Sequence, residues 1–237
     1  MIADTPVLSA HNLRKTYGST TALDGVSASI RAGESVAVMG ASGSGKTTLL
    51  HCLAGIVLPD SGSVMLSLPS VQADITSLDD AERSLLRRRD FGFVFQQGLL
   101  IPELTAGENV AMALMLNGVP RAAAEDSAAA WLARLGLAGM EQRRIGELSG
   151  GQAQRVAIAR AQVSGAQVLF ADEPTGALDS RTSAEVLQVL LESTVNAGKT
   201  LVVVTHDPSV AAWCGRTITL ADGRIVADTA GATGILR

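Results

Sequence analysis

A chain of 237 residues, 47% of them hydrophobic, can bury one large α/β domain or a core with a subdomain. Its net charge of -4 and the absence of a long basic block argue against a nucleic-acid partner held by a broad positive face. No stretch approaches the ~18–20 continuous apolar residues of a membrane-spanning helix, and Met1-Ile2-Ala3-Asp4 lacks the basic start and apolar core of a secretion signal. Aromatic residues make up only 3%, so a core of Val, Leu, Ile and Ala is expected, the composition of buried parallel strands under helices. The mean hydropathy of +0.27 fits that core, with a hydrophobic docking surface as the other source. Cys52 and Cys214 are far apart and without metal-ligand spacing, and read as small buried hydrophobes in a reducing compartment.

Val7 to Lys15 and Ala22 to Ile30 alternate apolar and polar residues around Gly18-Ser19-Thr20-Thr21, which predicts a half-buried antiparallel pair. Tyr17 is the only tyrosine, and its ring can stack on a purine or simply stand on a surface turn. An apolar run, Ser35 to Met39, then leads into Gly40-Ala41-Ser42-Gly43-Ser44-Gly45-Lys46-Thr47-Thr48 and an amphipathic run, Leu49 to Gly55: strand, glycine-rich turn, helix. Glycines let the turn take positive φ and carry amides to a polyphosphate, while the helix aims its positive end at the same place. In the spacing Gly-x-x-x-x-Gly-Lys-Thr, Lys46 reaches the β- and γ-phosphates and Thr47 coordinates Mg²⁺.

Pro59-Asp60-Ser61-Gly62 is a turn before the strand Ser63 to Leu68, and Ser77-Leu78-Asp79-Asp80 caps a helix Ala81 to Arg89. Arg83 with Arg87-Arg88-Arg89 is the only basic cluster and reads as the solvated face of that helix. Phe91 to Phe95 is a strand ending at Gln96-Gln97. From Gly98 to about Ser164 the pattern is helical throughout. Thr105 and Glu108 form a capping box ahead of Val110, Ala111, Leu114 and Met115. Pro120 opens a helix whose Ala128, Trp131, Leu132 and Leu135 share a face, and Gly136 closes it. Leu148-Ser149-Gly150-Gly151-Gln152 begins a further helix, Ala153 to Ala161, and so offers a second set of free amides at a positive dipole end. One nucleotide rarely needs two such cradles, so the second is expected to face a nucleotide held by another subunit, in a dimer with composite sites.

Gln167 to Ala171 is a continuous apolar run suited to a buried parallel strand. At its carboxyl end Asp172 would hold Mg²⁺ and Glu173 would orient or deprotonate the water that attacks the γ-phosphate. The competing reading, an acidic cap on the next helix, is weakened by Pro174 and the distance to Ser180. Ser180 to Asn196 is a helix with Val186, Leu187, Leu190, Leu191 and Val195 inward, and Leu201 to Val204 is the next buried strand. His206 stands at that strand's carboxyl end, where an imidazole can hydrogen-bond a γ-phosphate oxygen; His11 and His51 have no such setting. Arg216 to Leu220 and Arg224 to Ala227 flank Asp222-Gly223 as a terminal hairpin. The fold class is therefore α/β: a P-loop NTPase core with a mostly parallel sheet (1–97 and 165–237), an N-terminal antiparallel β subdomain, and an inserted α-helical subdomain (98–164).

The P-loop, Gln96, Leu-Ser-Gly-Gly-Gln, Asp-Glu-Pro and His206 stand in one order, and over essentially its whole length the chain resembles the ATP-binding subunit of an ABC transporter. The resemblance implies ATP and Mg²⁺ as ligands. It implies adenine stacking by Tyr17 and triphosphate binding by Gly40, Ser42, Gly43, Ser44, Gly45, Lys46, Thr47 and Thr48. Gln96 becomes a lever that contacts Mg²⁺, Glu173 the catalytic base and His206 the switch histidine. Ser149, Gly150, Gly151 and Gln152 would face the opposing γ-phosphate, and Ala177-Leu178-Asp179 the dimer interface. Phe91 to Gln96, Leu100 to Thr105, Glu108-Asn109-Val110 and Glu173 to Gly176 are similar to the branch serving lipoprotein release, macrolide and peptide export, and cell-division control. Ala153 and Ala177 depart from that branch's usual glutamine and asparagine. The implied partners are a second copy and an integral membrane permease, with no nucleic acid, at the cytoplasmic face of the plasma membrane. A soluble ABC-type ATPase acting on nucleic acid or ribosomes, and a small-molecule kinase, are the competing readings. The first lacks its coiled-coil or zinc insertion here, and the second leaves the signature helix unexplained.

Overall fold

The computed structural model describes residues 6–96 and 98–231. Met1-Ile2-Ala3-Asp4, read above for a leader, and Gln97, read as a strand end, lie outside the described residues. The chain opens with β1 (Pro6–Tyr17) and β2 (Thr20–Arg31), then β3 (Ser35–Met39), α1 (Lys46–Leu53), β4 (Ser61–Leu68) and β5 (Val71–Asp74). Next come α2 (Asp80–Arg89), β6 (Phe91–Phe95), α3 (Ala106–Met115), α4 (Arg121–Arg134) and α5 (Gly150–Val163). β7 (Val168–Asp172), α6 (Ser180–Ser193), β8 (Thr200–Val204), α7 (Pro208–Ala211), β9 (Arg216–Ala221) and β10 (Arg224–Asp228) complete it. The chain falls into two compact units, Met1–Arg83 with Thr200–Arg237, and Ser84–Lys199. No helix among the described residues is long and apolar enough to cross a membrane.

In the first unit an antiparallel sheet runs β2-β1-β4-β5, and a second group of strands runs β10-β9-β3-β8. β3 is parallel to both of its neighbours, β8 and β9. Val36, Ala37 and Val38 of β3 and Val202, Val203 and Val204 of β8 are all buried, as strands covered on both faces must be. The N-terminal hairpin is tighter than expected. Thr20 and Thr21 pair with Tyr17 and Thr16, leaving only Gly18-Ser19 as the turn, because β-branched threonine suits the strand as well as the loop. Ser61 and Gly62 likewise belong to β4 rather than to the turn before it, and β5 was not anticipated. The terminal hairpin is as expected, with Asp222 (φ 47°) and Gly223 (φ 72°) both left-handed, the geometry of a two-residue hairpin turn.

Arg216, at the start of β9, is buried and ties the unit together. Its guanidinium donates to both carboxylate oxygens of Asp228 (2.8 and 2.7 Å), to the Ser29 carbonyl (2.8 Å) and to Glu34 (3.3 Å). Pairing with Arg216 holds the Asp228 carboxyl below the usual carboxylate range.

In the second unit β6 pairs in parallel with β7, Phe91 opposite Val168 through Phe95 opposite Asp172. α5 lies on β6 with no side chain between them at Gly92, since a methyl group there would fall on the carbonyl of Ala161. The stretch from 98 to 164 is not helical throughout. Between α4 and α5 the backbone leaves the helix at Gly136 and Gly139, both left-handed, and forms only a short 3₁₀ turn, Ile145–Glu147. That segment is held instead by the start of α3, where the Ala106 and Gly107 amides donate to the carbonyls of Arg143 and Glu141 (both 2.8 Å). The Thr105–Glu108 capping box is present, but the apolar stripe of α3 is not wholly inward: Met115 and the following Leu116 are 44% and 58% exposed.

Replacing Asp228 by Asn removes the bidentate charge partner of a buried arginine, and is expected to cost about 1–2 kcal/mol at pH 7. Because the folded carboxyl's pKa is depressed, that stability is present above the ordinary carboxylate pKa and is lost as pH falls through the folded value. Urea unfolding midpoints of parent and variant should therefore differ at pH 7 and converge in acid.

Candidate functional site

In the first unit the glycine-rich turn leaves the carboxyl end of β3 and enters α1 at Gly45, which is left-handed (φ 102°) and offers no side-chain cap. The first amides of α1 are thus left without a capping side chain, the arrangement that favours an anion. The glycines are not equivalent. A methyl group at Gly45 would lie on the Ala22 carbonyl, and one at Gly40 on the Leu220 carbonyl, so both are demanded by the protein's own backbone. Gly43 (φ 79°) faces open space and is required by its φ alone. The Lys46 ammonium lies over the turn, donating to the carbonyls of Gly40 (2.8 Å) and Ala41 (2.9 Å). Ser44 Oγ is buried without a hydrogen-bond partner among the described residues. Ser42 and Thr47 are exposed.

Two further candidates belong to this unit. The Thr205 amide donates to the Val38 carbonyl (3.1 Å), which sets the exposed His206 at the same strand ends as the glycine turn. Asp207 caps α7 through the Ser209 amide (2.8 Å), and that serine holds its carboxyl below the usual range. Tyr17 closes β1 at 49% exposed, with the Lys15 ammonium 5.5 Å from its ring centre. Asp60 fixes this corner, accepting from Lys15 Nζ (2.8 Å) and the Thr16 amide (2.7 Å); sequence reading had placed Asp60 only in a turn. Cys52, on α1, is buried, and its thiol is pushed up to about 11.

The second unit gathers the remaining candidates. Phe95 and Asp172 are register partners, so Gln96 and Glu173 leave the ends of adjacent parallel strands. Glu173 takes a left-handed backbone (φ 47°) immediately before Pro174, whose ring disfavours the right-handed helical region for the residue ahead of it. Such a conformation costs a non-glycine residue roughly 1–3 kcal/mol, and strain of this kind gathers at functional sites. The Gly176 amide closes the turn on the Glu173 carbonyl (3.1 Å). Gly176 also carries the side chain of Gln96, since a methyl group there would stand 2.9 Å from Gln96 Nε2.

Helix α5 begins at Gly150, three residues earlier than expected. Ser149 Oγ accepts from the Gln152 amide (3.3 Å) while Gln152 Oε1 accepts from the Ser149 amide (2.9 Å), a reciprocal cap. Gly150 lets this helix start approach Leu178, and Gly151 lets it approach Thr182, whose methyl leaves no room for a side chain at Gly151. Asp179 caps α6, accepting from the amides of Arg181 (3.1 Å) and Thr182 (3.0 Å) and from Thr182 Oγ1 (2.7 Å). The Thr182 hydroxyl chiefly holds the Asp179 carboxyl below its usual range. The acid that caps α6 is thus Asp179, and Asp172 and Glu173 stay at the strand end.

Sequence reading missed what holds the loop around Gln96. Gln154, buried on α5, donates to the Phe95 carbonyl (3.0 Å), and Arg160 donates to the carbonyls of Gly98 (2.6 Å) and Leu99 (2.7 Å). Asn109, fully buried, donates to the Ile101 carbonyl (3.0 Å) and accepts from its amide (2.8 Å). Nothing local in the sequence marks these side chains, because their partners lie 59 to 62 residues away for α5.

A family model described as ABC transporter matches residues 23–176. Over 231 residues the chain is 46% identical to the pyoverdine export ATP-binding/permease protein PvdT of Pseudomonas fluorescens, covering 95% of this chain and 34% of that protein. It is 44% identical over 229 residues to the macrolide export ATP-binding/permease protein MacB of Nitrosomonas europaea, covering 94% and 34%. The chain therefore spans about a third of the length of these curated relatives. Among solved structures it is similar to the dimeric post-hydrolysis ATP-binding cassette MJ0796 bound to ADP and Pi, with a TM-score of 0.83, 39% identity, and 93% and 97% of the two chains covered. The ADP conformation of the cassette MJ1267 superposes with a TM-score of 0.81 at 26% identity, covering 94% and 91%.

Gly176→Ala puts a methyl group against the movable end of Gln96 on a backbone that alanine can adopt. Stability should change by less than about 0.5 kcal/mol in a thermal melt. Nucleotide turnover, read as phosphate release, should fall by about tenfold or more because Gln96 must shift.

Proposed function

The chain belongs to the ABC transporter family, as an ATP-binding cassette, and from that premise we propose that it is the ATP-hydrolysing motor of an export or force-transmitting membrane complex. The observation that carries the reading is the second unit's arrangement, in which Gln96 rests on Gly176, three residues beyond the strained Glu173. Tyr17 stacks on adenine, and the triphosphate is taken by the turn Gly40 to Gly45 with Lys46, Thr47 and Thr48. The buried Ser44 hydroxyl, without a hydrogen-bond partner among the described residues, and the ammonium held on the turn's carbonyls suit phosphate oxygens. Glu173 orients and deprotonates the attacking water, and His206 hydrogen-bonds the γ-phosphate.

Mg²⁺ would be held by Thr47, Asp172 and Gln96, all oxygen donors of the kind this ion takes, and it would neutralise charge on the phosphates.

Ser149, Gly150, Gly151 and Gln152 serve the nucleotide of a second copy, so that ATP binding favours a closed homodimer and hydrolysis reopens it. The dimeric state of the MJ0796 cassette supports this. Within the chain, 98–164 acts as the helical subdomain and 1–97 with 165–237 as the nucleotide core. The names of the relatives, export ATP-binding/permease proteins, support a permease partner; by our reading that permease is reached through the region of Gln96 and α3, with the chain peripheral at the cytoplasmic membrane face.

Glu173→Gln is expected to trap an ATP-dependent dimer, visible by size-exclusion chromatography, while turnover falls about 10²–10⁴-fold. Hydrolysis at the parent rate would remove Glu173 from the role of base. In the trapped dimer, Ser149→Cys should crosslink to a thiol-reactive nucleotide bound by the other copy; labelling of its own copy alone would refute the shared site.

A further inference from the structure

In the second unit a cavity of about 250 Å³ opens beside the C-terminal end of α3. Phe91, Phe93, Met112 and Leu116 give it apolar walls, while Arg87, Arg88 and Arg160 stand around it, and none of its lining residues is acidic. Of the basic cluster read above as a solvated face, Arg88 and Arg89 are exposed as expected, while Arg87 and Arg88 also border a concave apolar surface. Arg88 donates to the Leu116 carbonyl (3.0 Å), and Arg160 to the carbonyls of Gly98 and Leu99. Carbonyl dipoles orient a guanidinium but carry no net charge. Burial alone pushes the Arg160 guanidinium's pKa down, and no carboxylate offsets it. A cation beside an apolar wall becomes more costly once a partner excludes water, unless the partner brings the counter-charge.

We infer that the permease segment docking on this cavity carries a carboxylate between large apolar side chains, the apolar groups covering Phe93, Met112 and Leu116 and the carboxylate pairing with Arg160 or Arg88. The inference rests on the reading that a permease docks near Gln96 and α3. Charge complementarity selects this occupant, because a neutral or basic segment would seal Arg88 and Arg160 away with carbonyl partners but no counter-charge. A bidentate carboxylate would also compete for the Arg160 donors that hold Gly98 and Leu99, so docking would be felt within three residues of Gln96.

The full chain co-produced with its permease tests both levels. Leu116→Asp probes docking itself, and should reduce permease retention on the purified cassette by about tenfold or more. Arg88→Glu and Arg160→Gln probe the charge, and should each cause a comparable loss. Arg88→Lys and Arg160→Lys supply a primary amine for a zero-length carbodiimide. The chain's only lysines, Lys15, Lys46 and Lys199, do not line the cavity, so a new crosslink is attributable. The expected product is an amide between Lys at 88 or 160 and an Asp or Glu of the permease, mapped by mass spectrometry. If Leu116→Asp releases the permease but both charge variants retain it and neither lysine variant crosslinks, the carboxylate inference is overturned while docking stands. Full retention by Leu116→Asp would overturn the docking reading and the inference with it.

Discussion

The turn after β3 can close only where two residues lack side chains. At Gly45 a methyl group would sit on the carbonyl of Ala22, in β2, and at Gly40 on the carbonyl of Leu220, in β9. The turn is therefore wedged between backbone on either side, and this contact places the start of α1 and the ammonium of Lys46. The rest of the first unit's chemistry follows from the same strand ends. β8 is locked to β3 in parallel register, so His206 needs no other device to reach them.

In the second unit the same economy recurs with different partners. Gly176 seats Gln96, Gly150 and Gly151 admit Leu178 and Thr182, and Gly92 brings α5 down onto β6. Because α5 also holds the carbonyls of Phe95, Gly98 and Leu99, the helix that starts at the signature residues is joined to the loop carrying Gln96. A displacement of α5 would therefore reach that loop through the side-chain hydrogen bonds of Gln154 and Arg160.

How much of this was legible in the sequence depended on the range of the interaction. The Thr105–Glu108 cap, the Asp222-Gly223 hairpin and the strand–turn–helix around Lys46 are local, and each appeared where its residues predicted. The hairpin at Thr20 and the start of β4 were read one or two residues short, since threonine, serine and glycine serve turn and strand alike until a partner strand decides. The helical reading of 98–164 failed between α4 and α5, where pairing with the start of α3 outweighs helix propensity. Asp60, Gln154 and Arg160 were invisible because their partners are 44 or more residues distant. The solvated face expected of the basic cluster is present at Arg88 and Arg89, but only the packing of α3 shows that Arg87 and Arg88 also border an apolar cavity.

The exposed end of α3 has a cost for the cell that makes this chain. Met115 and Leu116 stand side by side with their apolar side chains in solvent. Molecules synthesised in excess of whatever covers that patch would be the ones recognised by chaperones or degraded. The fold thus carries its own demand for a covering surface at this end of α3, and any copy left uncovered is the one most exposed to aggregation.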